Sequence, residues 1–320
     1  MWGIASEYLL PAAAAEGLLN PNFAWSAATP PDFARGSAWV PRNIRSCIDS
    51  VEKLAGQAMG TTTFSLACRF LRGLVLLSDH AGSAEVPFFR AKRLLTRTAA
   101  ITALERQLGK LSLYEHQAEV QAVRGSTTLI APTGSGKTES ALLWVSNQYE
   151  QGNEGFPPFF YVPPYQASLN AMRARIGRLF GQNSVVLQHS RATLALYRQL
   201  MDRGYSPGQA LETAVRERSL SKLHVSPIRL LTPYQLLRSA YNLRGHAALW
   251  TDAASGIFVL DELHAYETTR LGLILETLSH LARDLVARIL VMSATMPSLL
   301  RAAFNDAVGG DLLVEPRAAP

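Results

Sequence analysis

Cysteine is nearly absent from the 320 residues: only Cys47 and Cys68 occur, each standing alone. Without a Cys-x-x-Cys pair there is no thiolate zinc site to expect, and two isolated thiols build no disulfide framework of the secreted kind. No uninterrupted apolar run approaches the roughly 20 residues that a membrane span needs. The N-terminus has Glu7 and no basic flank before its apolar stretch, which is unlike a signal peptide. These absences predict a reducing, cytoplasmic setting with no membrane partner. Histidine is scarce too: His80 is the only one before His116, and no His-Asp dipeptide occurs anywhere. Lysine is rarer still, with five residues in a total of 31 Lys and Arg. The cationic surface is therefore mostly guanidinium, the group suited to bidentate phosphate contacts, although a GC-rich genome gives the same bias. A net charge of +6 suits a polyanionic partner without establishing one. With 48% hydrophobic and 18% charged residues, the composition is ordinary for a globular protein and argues against disorder.

What is present changes character along the chain. Residues 1–60 are rich in Ala and Pro, with a short helix expected near 5–18 and another from Pro41. Residues 62–84 read as a helix, with Phe64, Cys68, Leu71, Val75 and Leu76 at three- and four-residue steps. A further helix is expected after Pro87, carrying Arg90, Lys92, Arg93 and Arg97. From about residue 112, short apolar runs alternate with helical stretches: Thr127–Ala131, Phe159–Val162, Val185–Leu187, Ile228–Leu231, Ile257–Leu260 and Ile289–Met292. Runs this short and continuous predict parallel strands buried on both faces. The expectation is an α/β fold, a three-layer parallel sheet over 109–320, preceded by an α-helical region over 1–108. The polar stretch from about 202 to 226 reads as an inserted helix or lid.

The strongest motif is Ala131-Pro132-Thr133-Gly134-Ser135-Gly136-Lys137-Thr138, which follows an apolar strand and opens a helix. Gly134 and Gly136 permit positive φ, so that successive N–H groups converge on a phosphate at the helix N-terminus. In such a loop Lys137 bridges the β- and γ-phosphates and Thr138 holds Mg²⁺. The run Ile257–Leu260 then ends in Asp261-Glu262. At the carboxyl end of a buried strand, Asp261 can reach the Mg²⁺, and Glu262 can orient and deprotonate the attacking water. ATP and Mg are the cofactors implied, and ATP hydrolysis the activity.

On these residues the chain resembles the superfamily-two helicases of the DExH type, whose lobes have the RecA-like fold. Tyr114-Glu115-His116-Gln117 is similar to their adenine-reading segment, which implies a base contact for Gln117. Ser293-Ala294-Thr295-Met296-Pro297 is similar to the segment coupling hydrolysis to movement, which implies that Ser293 and Thr295 bond the acidic pair. A Ser/Thr turn before a helix started by Pro297 is the plainer reading. Tyr161–Gln166 and Leu231–Gln235 resemble strand-end segments that hold a nucleic-acid backbone, which implies contacts from Pro163, Thr232 and Pro233.

Ala167–Met172, with Asn170, Asp261–Tyr266 and the Thr232–Trp250 stretch narrow the resemblance to the CRISPR-associated helicase–nuclease of type I interference systems. Phe70–Ser83 resembles the last helix of that family's HD-type nuclease domain, where Asp79 would match a metal-binding Asp. A solvated or capping Asp explains that residue equally well. The resemblance implies single-stranded DNA, a CRISPR effector complex and a second helicase lobe, in cis or in trans, as partners. No Gln-x-x-Gly-Arg-x-x-Arg segment of a second lobe occurs, so half of a two-lobed motor is expected. The alternatives are an unrelated DExH helicase acting on RNA or DNA, and a nucleotide-binding module that does not unwind.

Overall fold

Short strands apolar on both faces are stable only between layers of helices, and that is how this chain folds. A computed structural model describes residues 62–83, 97–109, 113–149, 157–188, 197–198, 200–222, 226–240, 246–309 and 313–314. The helices expected near 5–18, from Pro41 and over Arg90–Arg93 lie outside the described residues. The chain divides into two compact units, Trp2–Leu71 and a larger one holding Arg72–Pro320. Of the smaller unit, only Thr62–Leu71 is described, as the start of helix α1 (Thr62–Ser83).

The larger unit is built on a seven-stranded sheet: β1 (Thr127–Ile130), β2 (Phe159–Val162), β3 (Val185–Gln188), β4 (Ile228–Leu231), β5 (Ile257–Asp261), β6 (Arg288–Ser293) and β7 (Leu313–Val314). Its order is β3-β4-β2-β5-β6-β1-β7, and every described pairing is parallel. All six runs expected from the sequence are strands. The seventh, two residues long, is an edge addition to β1 and too short to carry a pattern. The helices are α2 (Arg97–Leu108), α3 (Glu115–Ala122), α4 (Lys137–Tyr149), α5 (Gln166–Phe180), α6 (Pro207–Lys222), α7 (Pro233–Ala240), α8 (His246–Ala253), α9 (Thr268–Arg283) and α10 (Ser298–Val308). This is a RecA-like three-layer sheet, and α6 occupies the polar stretch expected to hold an inserted helix.

Alternation along the strands sorts the core into two layers. Phe159, Tyr161 and Val259 face one side, where α4 supplies Leu142 and Val145 and α5 supplies Ile176. Phe160, Phe258 and Leu260 face the other, against Leu278 of α9 and Phe304 of α10. Helix α2 lies with α4 and α5, and its Leu104 belongs to the first layer. Burying each such side chain stabilises the fold by about 1.5–3 kcal/mol. Phe160 and Phe258 stack on neighbouring strands with centroids 4.4 Å apart. Within the larger unit α1 meets α8 at Gly73, where a Cβ would come within 1.9 Å of Thr251 Oγ1. Leu77 is buried there, whereas Val75, on the apolar stripe expected from the sequence, is 65% exposed. Among the described residues one ion pair is fully buried: Arg229 of β4 bonds Asp252 of α8, and its guanidinium lies over Phe160.

Candidate nucleotide site

Register brings three strand ends to one edge. Ile130 of β1 pairs with Ser293 of β6, and Met292 of β6 pairs with Asp261 of β5. The chain leaves β1 as the loop Ala131–Gly136 and re-enters as α4 at Lys137. Gly134 has φ +84° and Gly136 φ +80°, the left-handed region where a side chain costs about 1–2 kcal/mol. Gly136 has a second constraint, because a Cβ there would lie 2.4 Å from Gln117 Nε2. Pro132, Thr133 and Gly134 are exposed, Ser135 is half-buried, and Thr138 is buried at the first turn of α4. N–H groups at a helix start and positive-φ glycines together make a phosphate cradle.

Lys137 Nζ donates to Glu262 Oε1 at 2.8 Å, across the end of β6. Glu262 itself has φ +51°, a conformation that for a non-glycine persists when the surroundings over-determine it. Its other oxygen, Oε2, accepts from the Ala294 N–H at 3.1 Å and lies 3.3 Å from His264 Nδ1. Partial burial pushes the Glu262 carboxyl up, but the Lys137 ammonium, the Ala294 N–H and His264 outweigh it and hold the group below its ordinary value. Asp261 behaves oppositely. Burial raises it, Glu262 adds to the rise, and the hydrogen bond from Tyr161 only partly offsets both. Ser293 is fully buried, with Oγ 2.6 Å from His264 Nδ1 and bonded to the Thr295 carbonyl. Thr295 thus joins the network through its backbone, and its own side chain is exposed.

Gln117 is buried, with Oε1 accepting from Tyr114 N–H at 3.0 Å and Nε2 donating to the Gly136 carbonyl at 3.3 Å. His116 Nε2 sits 3.1 Å from the Ser135 carbonyl. Both side chains brace the loop from α3. Three groups at the site were not singled out by sequence reading. Tyr161 donates from its phenol to Asp261 Oδ2 at 2.8 Å. Arg175 of α5 donates to Thr138 Oγ1 at 3.1 Å and pairs with Glu139.

The carboxyl ends of β2 and β4 carry the residues expected to hold a nucleic-acid backbone. Pro163 is buried, its carbonyl accepting from the Tyr266 phenol at 3.4 Å. Thr232 is buried, and both its N–H and its hydroxyl donate to Gln235 Oε1; Pro233 begins α7. Asn170 is exposed on α5. Tyr165 and Tyr234 stand 58% and 45% exposed at equal offsets beyond the paired residues Tyr161 and Leu230. The Arg270 guanidinium lies 5.9 Å from the Tyr234 ring centre. Asp79 is exposed on α1, and among the described residues no group of three or more His, Cys, Asp or Glu is placed to hold a metal ion. None of the described helices is long and apolar enough to cross a membrane.

Residues 114–302 match the DEAD/DEAH box helicase family. The chain is similar to the CRISPR-associated nuclease/helicase Cas3 of Methanothermobacter thermautotrophicus, 29% identical over 189 residues, which cover 58% of this chain and 21% of that protein. It is similar also to the CRISPR-associated endonuclease/helicase Cas3 of Escherichia coli, 27% identical over 195 residues, with 58% and 22% covered. The chain thus spans about a fifth of the length of these two relatives. Among solved structures, T. fusca Cas3 with ADP aligns at a TM-score of 0.52 and 21% identity, over 69% of this chain and 25% of that one. That likeness extends to the fold.

Proposed function

We propose a function from one premise: the chain belongs to the DEAD/DEAH box helicase family. Its sheet is an ATP-binding motor lobe that hydrolyses ATP in order to move along single-stranded nucleic acid. The observation that carries this reading is the Lys137–Glu262 contact at 2.8 Å. It supports reading Lys137 as the phosphate-binding cation and Glu262 as the carboxylate base of one site, though 125 positions separate them.

In the free lobe these two charges neutralise each other. A γ-phosphate on the loop competes for the Lys137 ammonium and releases Glu262 to act as the base. The oxygen of a water then attacks the γ-phosphorus while its proton passes to the Glu262 carboxylate. The bridging oxygen leaves with ADP, taking the electron pair. Thr138 and Asp261 would hold Mg²⁺, whose charge balances that of the β- and γ-phosphates. The donors fit: a hydroxyl and a carboxylate are the hard oxygen ligands this ion takes. Gln117 keeps one N–H for an adenine edge while its other groups brace the loop. The Ser293–His264–Glu262 contacts link the base to the end of β6, the element that would register hydrolysis.

Pro163, Asn170, Thr232 and Pro233, with the exposed rings of Tyr165 and Tyr234, form the strand-holding edge. The similarity to two CRISPR-associated Cas3 helicases supports a CRISPR setting, and the resemblance of the motifs adds DNA as the strand, type I interference and an effector complex as a partner. A second helicase lobe, in cis or in trans, supplies the arginines that complete the transition state. Lys137→Ala tests the reading directly. Affinity for a non-hydrolysable ATP analogue, measured by calorimetry, should fall by about 1.5–3 kcal/mol, the worth of a charged hydrogen bond. Equal affinity in wild type and variant would reject it.

A further inference from the structure

Thr138 and Asp261 come from different parts of the chain, α4 and β5, yet both are tied to β2–α5. Tyr161, third residue of β2 and fully buried, crosses to the adjacent strand and donates to Asp261 Oδ2 at 2.8 Å. Arg175, on the helix that follows β2, donates to Thr138 Oγ1 at 3.1 Å. A guanidinium beside a cation site would ordinarily repel the ion. Here Glu139, 9% exposed, pairs with Arg175 and cancels that charge locally. The two donors therefore orient their partners without adding net positive charge.

We propose that Tyr161 and Arg175 are positioning residues that hold Asp261 and Thr138 ready for Mg²⁺, so that β2–α5 sets the metal dependence of nucleotide binding. The inference rests on the nucleotide-site reading above. It gives α5 two tasks, because the same helix carries Asn170 at its strand-holding end. A bound strand that shifts α5 would thereby reach Thr138 through Arg175.

The test is equilibrium binding of a fluorescent non-hydrolysable ATP analogue to the full 320-residue chain, with Mg²⁺ and with chelator, in wild type, Tyr161→Phe and Arg175→Ala. Mg²⁺ should tighten binding in wild type. Each substitution should reduce that tightening by about 10–100-fold, the usual effect of removing an outer-shell partner. Affinity in chelator should stay at the wild-type value. Tyr161→Phe removes one oxygen and keeps the ring, so its result stands even if Arg175→Ala unfolds. Parallel losses with and without Mg²⁺ would show a merely structural role and overturn the proposal, as would no loss at all. Wild-type chain that binds no analogue under either condition would instead overturn the nucleotide-site reading, and this inference with it.

Discussion

The carboxyl ends of β1, β5 and β6 and the carboxyl ends of β2 and β4 share one sheet edge but hold their polar groups in opposite ways. At the first, each side chain is held by another from a distant segment: Lys137 by Glu262, Asp261 by Tyr161, Ser293 by His264. Burial and these partners displace the ionisation of both carboxylates, in opposite directions. At the second, Thr232 is satisfied by Gln235 three positions on and the Pro163 carbonyl by the Tyr266 phenol, while the rings of Tyr165 and Tyr234 remain open to solvent. Phosphoryl transfer needs charges fixed before the substrate arrives, because reorganising them during the reaction costs rate. A strand that must be gripped and released is better met by exposed rings and backbone groups.

Substitutions at each end should separate the two behaviours. Glu262→Gln keeps the shape and removes the base, so ATP turnover measured with a single-stranded oligonucleotide should drop by about 10²–10⁴-fold. Analogue binding should survive, since Lys137 is then freed from its ion pair. Undiminished turnover would place the base elsewhere and erase the distinction between the two ends.

The next effect is on stability. Arg229–Asp252 is a long-range ion pair on the β4 side, but it lies beneath the edge, fully buried. Arg229→Ala leaves Asp252 charged and uncompensated, a loss of about 3–5 kcal/mol in denaturant unfolding. Analogue affinity of the folded fraction should not change. A variant with native stability and weakened nucleotide binding would show that the two ends are energetically one site.

The smallest effect is the most local. Tyr234→Ala should weaken binding of a single-stranded oligonucleotide by about 1–3 kcal/mol, the usual worth of one base on an aromatic face. Fluorescence anisotropy reads this, and an abasic oligonucleotide should lose the dependence on the ring. An equal loss with the abasic strand would mean that Tyr234 meets sugar or phosphate instead of bases.

Much of this was legible in residue order alone. Six strands appear where short apolar runs lie, because a parallel strand covered on both faces must be apolar at every position. The positive-φ turns of the loop before α4 are legible in Gly134 and Gly136, since backbone geometry there depends on local residues only. Asp261 and Glu262 are readable as the end of such a run. The spacing over 62–84 reads as the helix α1 that forms, but spacing gives a phase and not the neighbour that decides which face is covered; that neighbour is α8, set against Gly73.

The sequence by itself determined the class of fold, the loop that would take phosphates and the carboxylates that would answer it. Only tertiary structure decided the company these residues keep. Placing β6 between β1 and β5 sets how far Lys137 must reach to Glu262. The register of β2 against β5 brings the Tyr161 phenol to Asp261, and the phase of α5 turns Arg175 toward Thr138. Tyr161 opens a segment read for nucleic-acid contact, and nothing in the chain around it or Arg175 marks either as part of the nucleotide site. Strand runs and glycine loops follow from local sterics and burial. Hydrogen bonds between distant segments follow from strand order and register, which the whole sheet settles together.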